Sequence, residues 1–137
     1  MSRGLRNNNP GNIRLSTVRY QGETVPSGDP AFKQFETIAW GYRALFMLLY
    51  TYQKKHRLNT LQSIIRRYAP PCENHTDGYT QAVSNWTGIP PQEALNTLNE
   101  NTMIPIACAM SRVENGTAAI REDVEAGWEL FIQTSGL

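Results

Sequence analysis

The sequence predicts a mainly α protein of about six helices with a small irregular or β lobe near the N-terminus, folded as one domain over 1–137. Three observations point there. At 137 residues, 40% hydrophobic and 18% charged, the chain can bury one ordinary core and is not of disordered composition. From Thr37 onwards, apolar residues recur at helical spacing between recognisable cap and stop residues. Before Thr37 the chain is rich in Asn, Gly and Pro and lacks that periodicity.

In the first lobe, Ile13–Leu15 and Val18–Tyr20 read as short strands joined through Ser16 and Thr17, and Pro26–Pro30 as a turn. Phe32 and Phe35 are the expected anchors of this lobe on a helix. Thr37 is the expected N-cap of a helix to about His56, with Trp40, Ala44, Met47, Leu48 and Tyr52 on its core side. Asn59-Thr60 opens a second helix, Leu61 to Tyr68, that Pro70-Pro71 stops. Thr76 is the expected cap of a third, with Tyr79, Val83 and Trp86 on one face and Gly88 past its end. Pro90-Pro91 opens a short fourth helix through Leu98, because proline is tolerated in a first turn. Asn101 is the expected cap of a fifth, with Pro105 near its first turn, Met103, Ile106, Ala107 and Met110 buried, and Gly116 as its stop. A last helix from about Ala118 to Gln133 carries Val124, Trp128 and Phe131 on one face.

Charge narrows the function. Thirteen Lys+Arg against twelve Asp+Glu leave a formal net charge of +1, without the basic excess of a nucleic-acid binder. An uncharged polymer is compatible with this balance. Met1–Pro10 is polar and basic, unlike a secretory signal, and the apolar run Ala44–Tyr50 is too short to span a bilayer. The expectation is a protein made in the cytoplasm and not inserted in a membrane. Cys72 and Cys108 are the two cysteines and His56 and His75 the two histidines. Unlinked thiols are favoured over a disulfide, and with no complete ligand set no metal or other cofactor is expected.

Three segments carry polar chemistry. In Ala109–Gly116 an apolar helix ends in Glu114, followed by Asn115-Gly116. Glycosidic cleavage needs a proton donor whose pKa is raised by a low-dielectric wall, and a helix C-terminus also disfavours the ionised carboxylate. A solvent-facing glutamate ending a helix would look the same in sequence. Tyr68–Tyr79 is a double-proline loop between helices that can present Tyr68, Glu73, Asn74, Thr76 and Tyr79 into a cleft. Thr76 and Glu73 could equally serve the helix N-terminus. In Arg3–Arg14, Asn8 and Asn9 beside Pro10-Gly11 offer amides suited to hydroxyl and N-acetyl groups, or to the backbone of a tight turn. No nucleophilic triad, phosphate loop or His-Glu-x-x-His pair is present.

These segments also carry a resemblance. RGLRNNNPGNIR (3–14), YQG (20–22), DPAFKQF (29–35), GYRA (41–44), IIRRYAPPCENHTDGY (64–79) and ENG (114–116) follow one another in order over nearly the whole chain. Together they resemble a family of phage and prophage proteins labelled structural or lytic protein, related to the lytic enzyme of the cystoviruses and of a lysozyme or lytic-transglycosylase type of fold. Bacterial glucosaminidases and transglycosylases are similar more distantly. In them a helix ending in a catalytic Glu precedes an Asn-rich turn and a later Tyr segment; here the same pieces stand in rotated order, as in a circular permutation.

The resemblance implies a lysozyme-like enzyme that cuts peptidoglycan between N-acetylmuramic acid and N-acetylglucosamine. Glu114 would be the general acid and base, Glu73 a candidate second carboxylate, and Tyr68, Asn74, Thr76, Tyr79, Asn8 and Asn9 would contact the substrate. A monomer is expected, acting in the periplasm or cell wall after phage-type release or delivery by a secretion machine. The alternatives are a murein endopeptidase, a non-catalytic phage structural or glycan-binding module, and a secreted antibacterial effector with a cognate immunity protein.

Overall fold

The computed structural model describes residues 1–71 and 75–137. It is mainly helical, with α1 (Arg3–Arg6), α2 (Ile38–His56), α3 (Leu61–Tyr68), α4 (Thr76–Thr87), α5 (Glu100–Asn115) and α6 (Arg121–Thr134). Two short strands, β1 (Glu23–Thr24) and β2 (Gln34–Phe35), pair antiparallel near the N-terminus. The mainly α fold with a small N-terminal β element is as the sequence predicts.

The helices form for local reasons and stay for tertiary ones. The Thr37 hydroxyl accepts from the Trp40 amide at the start of α2, and Thr60 with Ser63 makes a reciprocal capping box on α3. Gly88 and Gly116 end α4 and α5 in the left-handed region, at φ 76° and 71°. Tyr42, Leu45, Phe46 and Leu49 of α2 meet Ile64 and Ile65 of α3, Met103, Ile106 and Met110 of α5, and Val124, Trp128 and Phe131 of α6 in one core. The rings of Phe46 and Trp128 pack edge to face at 4.9 Å between centroids. Helices α2 and α6 cross so closely at Gly127 that a β-carbon there would lie 3.0 Å from the Ala39 carbonyl oxygen and the Arg43 amide.

Four expectations need correction. The segment 90–98 is not helical but a run of turns: the Leu95 amide donates to Asn59 O at 2.7 Å, and the Thr97 amide to Gln53 Oε1 at 2.7 Å. Its buried residues, Leu95 and Thr97, stand two apart, which suits an extended strap over α2 and α3 and not a helical stripe. Helix α5 begins earlier than expected, capped by Asn99, so Pro105 is its sixth residue. Trp86 is 46% exposed on α4 and not part of the core. Thr76 does not cap α4; its hydroxyl donates to Ala69 O at 2.5 Å and ties α4 to the end of α3.

The N-terminal lobe also pairs differently. Ile13–Leu15 runs beside residues 31–33 through the Leu15–Ala31 and Lys33–Ile13 backbone bonds, and Val18–Tyr20 forms no strand. A buried charge organises this lobe. The Lys33 side chain is 0% exposed, and its ammonium donates to both carboxylate oxygens of Glu23, at 3.0 and 2.9 Å, and to Val18 O at 2.7 Å. A buried ammonium needs such a shell, so residues 16–18 wrap around it as a loop.

The short α1 has no apolar periodicity that would announce it. Ser2 caps it, Arg3 makes a two-pronged bond to Asp29 at 2.6 and 2.7 Å, and the Ser2 hydroxyl donates to Asn115 Oδ1 at 2.7 Å. The N-terminus is thereby fastened to the far end of α5. Among the described residues no helix is long and apolar enough to cross a membrane.

Candidate functional site

Glu114 sits in the last turn of α5, where the N-terminal lobe closes over the helix end. The position is built by polar ties. Tyr42 Oη and Ser111 Oγ are hydrogen-bonded at 2.8 Å, joining α2 to α5 inside the core. One turn on, Asn115 donates back to Ser111 O at 2.9 Å and across to Pro10 O at 2.8 Å. Gly4 permits the approach: a β-carbon there would come within 2.7 Å of Asn12 Oδ1 and 2.6 Å of Asn115 Oδ1.

This contact brings Asn12, at φ 50°, to the carboxylate. Asn12 Nδ2 donates to Glu114 Oε1 at 3.0 Å, across a separation of 102 residues. Burial raises the Glu114 pKa above the ordinary carboxyl value, opposed by the Asn12 bond, the Tyr79 hydroxyl and the more distant Arg14 charge. The partial negative charge of the α5 C-terminus works in the same direction as burial. Glu114 is a half-buried acid poised to hold a proton.

Two tyrosines close the surroundings. The Tyr68 hydroxyl donates to Gly11 O, fixing the end of α3 to the Asn-rich turn. Tyr79 of α4 points its hydroxyl towards Glu114 without completing a hydrogen bond to any described residue. Burial, then the nearby Glu114 charge, hold both phenols well above their ordinary pKa, so both stay neutral donors. A buried hydroxyl turned towards a half-buried acid, with no hydrogen bond completed among the described residues, is a place where a polar ligand atom fits.

Glu114 borders two hollows. One, of about 350 Å³, is lined by Gly11–Arg14, Phe32, Leu48, Tyr52 and the α3 end from Arg67 to Pro70. The other, of about 320 Å³, runs along His75, Gly78, Tyr79, Ala82 and Val113. The carboxyl therefore has open space on both sides, and it is the carboxylate that the described linings share. Such an arrangement can protonate an atom of a chain laid through the groove and take a proton back.

The structure thus gathers Glu114, Tyr68 and Tyr79 from the sequence candidates. Asn8, Asn9 and Thr76 do not line either hollow beside Glu114. Asn9 is 0% exposed and spends its amide on Ile13 O, Lys33 O and the Ile13 amide. Asn8 donates to Phe35 O at 3.1 Å, and Thr76 is buried against Ala69. These polar groups satisfy the backbone of turns and helix ends. Glu73 and Asn74, like Cys72, lie outside the described residues. Cys108 is a free, half-buried thiol whose pKa burial pushes up, and among the described residues no three His, Cys, Asp or Glu form a metal cluster.

Asn12 is the residue that the sequence reading passed over, although its motif was in view. Its signal is the Gly11-Asn12 step after the proline, since asparagine tolerates the left-handed backbone better than other side chains do. Arg14, Phe32, Tyr52 and Arg67 were likewise unmarked, because they come from separate parts of the chain.

Fold and site define a mainly α protein with a half-buried glutamate at a helix end facing a two-sided groove. No protein-family model matches the chain. It is similar to Protein P5 of Pseudoalteromonas phage PM2, with 39% identity over 132 residues that make up 93% of this chain and 81% of that protein. The chain belongs to the family of that phage protein.

Proposed function

We propose that this protein cleaves the glycan strands of bacterial peptidoglycan, as a lytic transglycosylase or muramidase with Glu114 as general acid and base. The observation that carries the reading is the Glu114 carboxyl itself. It is half-buried, raised in pKa, held by Asn12 at 3.0 Å, and open to a groove on two sides. A glycosidic oxygen is too weakly basic to leave unassisted, so the reaction needs a proton donor still protonated near neutral pH.

In the proposed reaction, Glu114 gives its proton to the oxygen linking N-acetylmuramic acid to N-acetylglucosamine, and the bond from that oxygen to the muramic C1 breaks. The resulting carboxylate takes the proton of the incoming nucleophile as its oxygen bonds to C1. A water nucleophile leaves a reducing sugar; the muramic 6-hydroxyl leaves an anhydro ring. The single carboxylate shared by the described linings favours the intramolecular route, in which the substrate supplies its own nucleophile. Glu73 remains the candidate for a second carboxylate. Tyr79 would donate to a sugar hydroxyl or N-acetyl oxygen, and Tyr68 would stay a positioning residue through Gly11.

The kinship with a phage protein is in keeping with wall lysis in the periplasm or cell wall, with the protein working alone as a monomer on the polymer. The test is incubation of purified protein with peptidoglycan and mass spectrometry of the products. Anhydro-muropeptides identify a transglycosylase and reducing ends a muramidase. Cut peptide stems, or no release at all, refute the proposal in favour of an endopeptidase or a structural module. Full activity in Glu114→Gln removes Glu114 from the mechanism.

A further inference from the structure

The larger hollow beside Glu114 has an uneven lining. Its outer wall carries two guanidinium groups, each laid over an aromatic ring. Arg14 lies 5.1 Å from the Phe32 centroid, and Arg67 lies 5.4 Å from that of Tyr52. Both side chains are exposed, and among the described residues neither makes an ion pair, whereas Arg3, which also lies over Phe32, is neutralised by Asp29. The local backbone explains the placement. Arg14 is bridged to Phe32 across the N-terminal lobe, and Arg67 stands in the last turn of α3, one residue before Tyr68.

A guanidinium resting on a ring keeps its edge donors free and has already lost much of its side-chain entropy. Among the described residues, two such groups stand against the one carboxylate of this lining, an excess of positive charge. A neutral sugar can accept single N–H bonds from a guanidinium but does not match its charge or its paired donors. A carboxylate does, because it accepts two parallel N–H bonds from a fork.

We infer that the Arg14–Arg67 wall is a subsite for the carboxylates of the peptide stem hung from the glycan strand, and that it makes the protein prefer stem-bearing strands to naked ones. This rests on the proposed glycan reading, since the stem reaches the wall only when the strand lies past Glu114. The inference concerns binding and needs no chemical step.

The test uses the full chain carrying Glu114→Gln, so that binding is read without turnover. Titration calorimetry compares three soluble glycan chains: with intact stems, with stems removed by an amidase and the lactyl carboxylates so exposed converted to amides, and with stems whose carboxylates are converted to amides. The intact chain should bind about tenfold more tightly than either other chain, as two charge-assisted contacts warrant. Adding Arg14→Gln and Arg67→Gln should close that gap, with circular dichroism verifying the fold. Equal binding of all three chains by the parent, or a gap that survives both arginine substitutions, overturns the subsite while leaving the glycan reading standing. Failure of the parent to bind any chain, together with no release of products by the unsubstituted protein, overturns both.

Discussion

Replacing Asn12 with glycine removes the side-chain amide that donates to Glu114 at 3.0 Å and leaves the φ of 50° at that position easily adopted. Alanine would confound the measurement with left-handed strain of about 1 kcal/mol. A hydrogen bond to a charged group is worth about 1.5–3 kcal/mol when buried. Glu114 is half-buried, so the lower end applies, about 1.5 kcal/mol, which is roughly tenfold in the proton equilibrium. The bond stabilises the ionised form and opposes the desolvation that raises the pKa. Its loss lets desolvation act with less opposition, and the carboxyl should hold its proton about tenfold more tightly.

The assay is a pH titration followed by NMR on protein with carbon-13 in its glutamate carboxyls, with Glu114→Gln identifying the resonance. The alkaline limb of any pH–rate profile should move upward in parallel. Linkage fixes the stability effect. Glu114 has a raised folded-state pKa, so its contribution is present below its unfolded value and is lost as pH rises through the folded one. Asn12→Gly enlarges that loss, so the variant should stand closer to the parent in acid than at neutral pH. A Glu114 titration that stays in place, or moves down, refutes the balance of burial against the Asn12 bond.

Glu114→Gln should abolish glycan cleavage yet raise thermal stability by about 1 kcal/mol at pH values where the parent carboxyl is ionised, since the amide still accepts from Asn12 and no partly buried charge remains; scanning calorimetry should find the gain fading as pH falls and the parent takes up its proton. Asn9→Ala strips buried bonds to Ile13 and Lys33 and should cost about 2–4 kcal/mol in urea denaturation, lowering activity only as far as it unfolds the chain. Gly127→Ala places a β-carbon 3.0 Å from backbone atoms of α2. Its helix-propensity gain of about 1 kcal/mol should be outweighed by repacking of about 1–3 kcal/mol, read as a lower melting temperature.

The helical body was legible because it obeys local rules. Thr37, Thr60, Gly88 and Gly116 act as the caps and stops that their chemistry dictates, and Val124, Trp128 and Phe131 fall on the buried stripe that helical periodicity requires. Glu114 was in view as a carboxylate closing an apolar helix, but a solvent-facing glutamate looks the same in sequence, so sequence alone left it one candidate among several. What tertiary structure decided is everything that depends on partners distant in the chain. Leu95 and Thr97 are drawn from a proline-opened helix into a strap by Asn59 and Gln53. Lys33 turns an expected strand into a loop because its buried charge must be met by Glu23 and Val18. Most of all, the N-terminal turn folds back on α5, so that Asn9 is consumed by the backbone while Asn12, three residues on, reaches Glu114. Periodicity and caps act within a few residues and can be read along the chain; desolvation and charge act through space, and only the folded chain sets who stands beside whom.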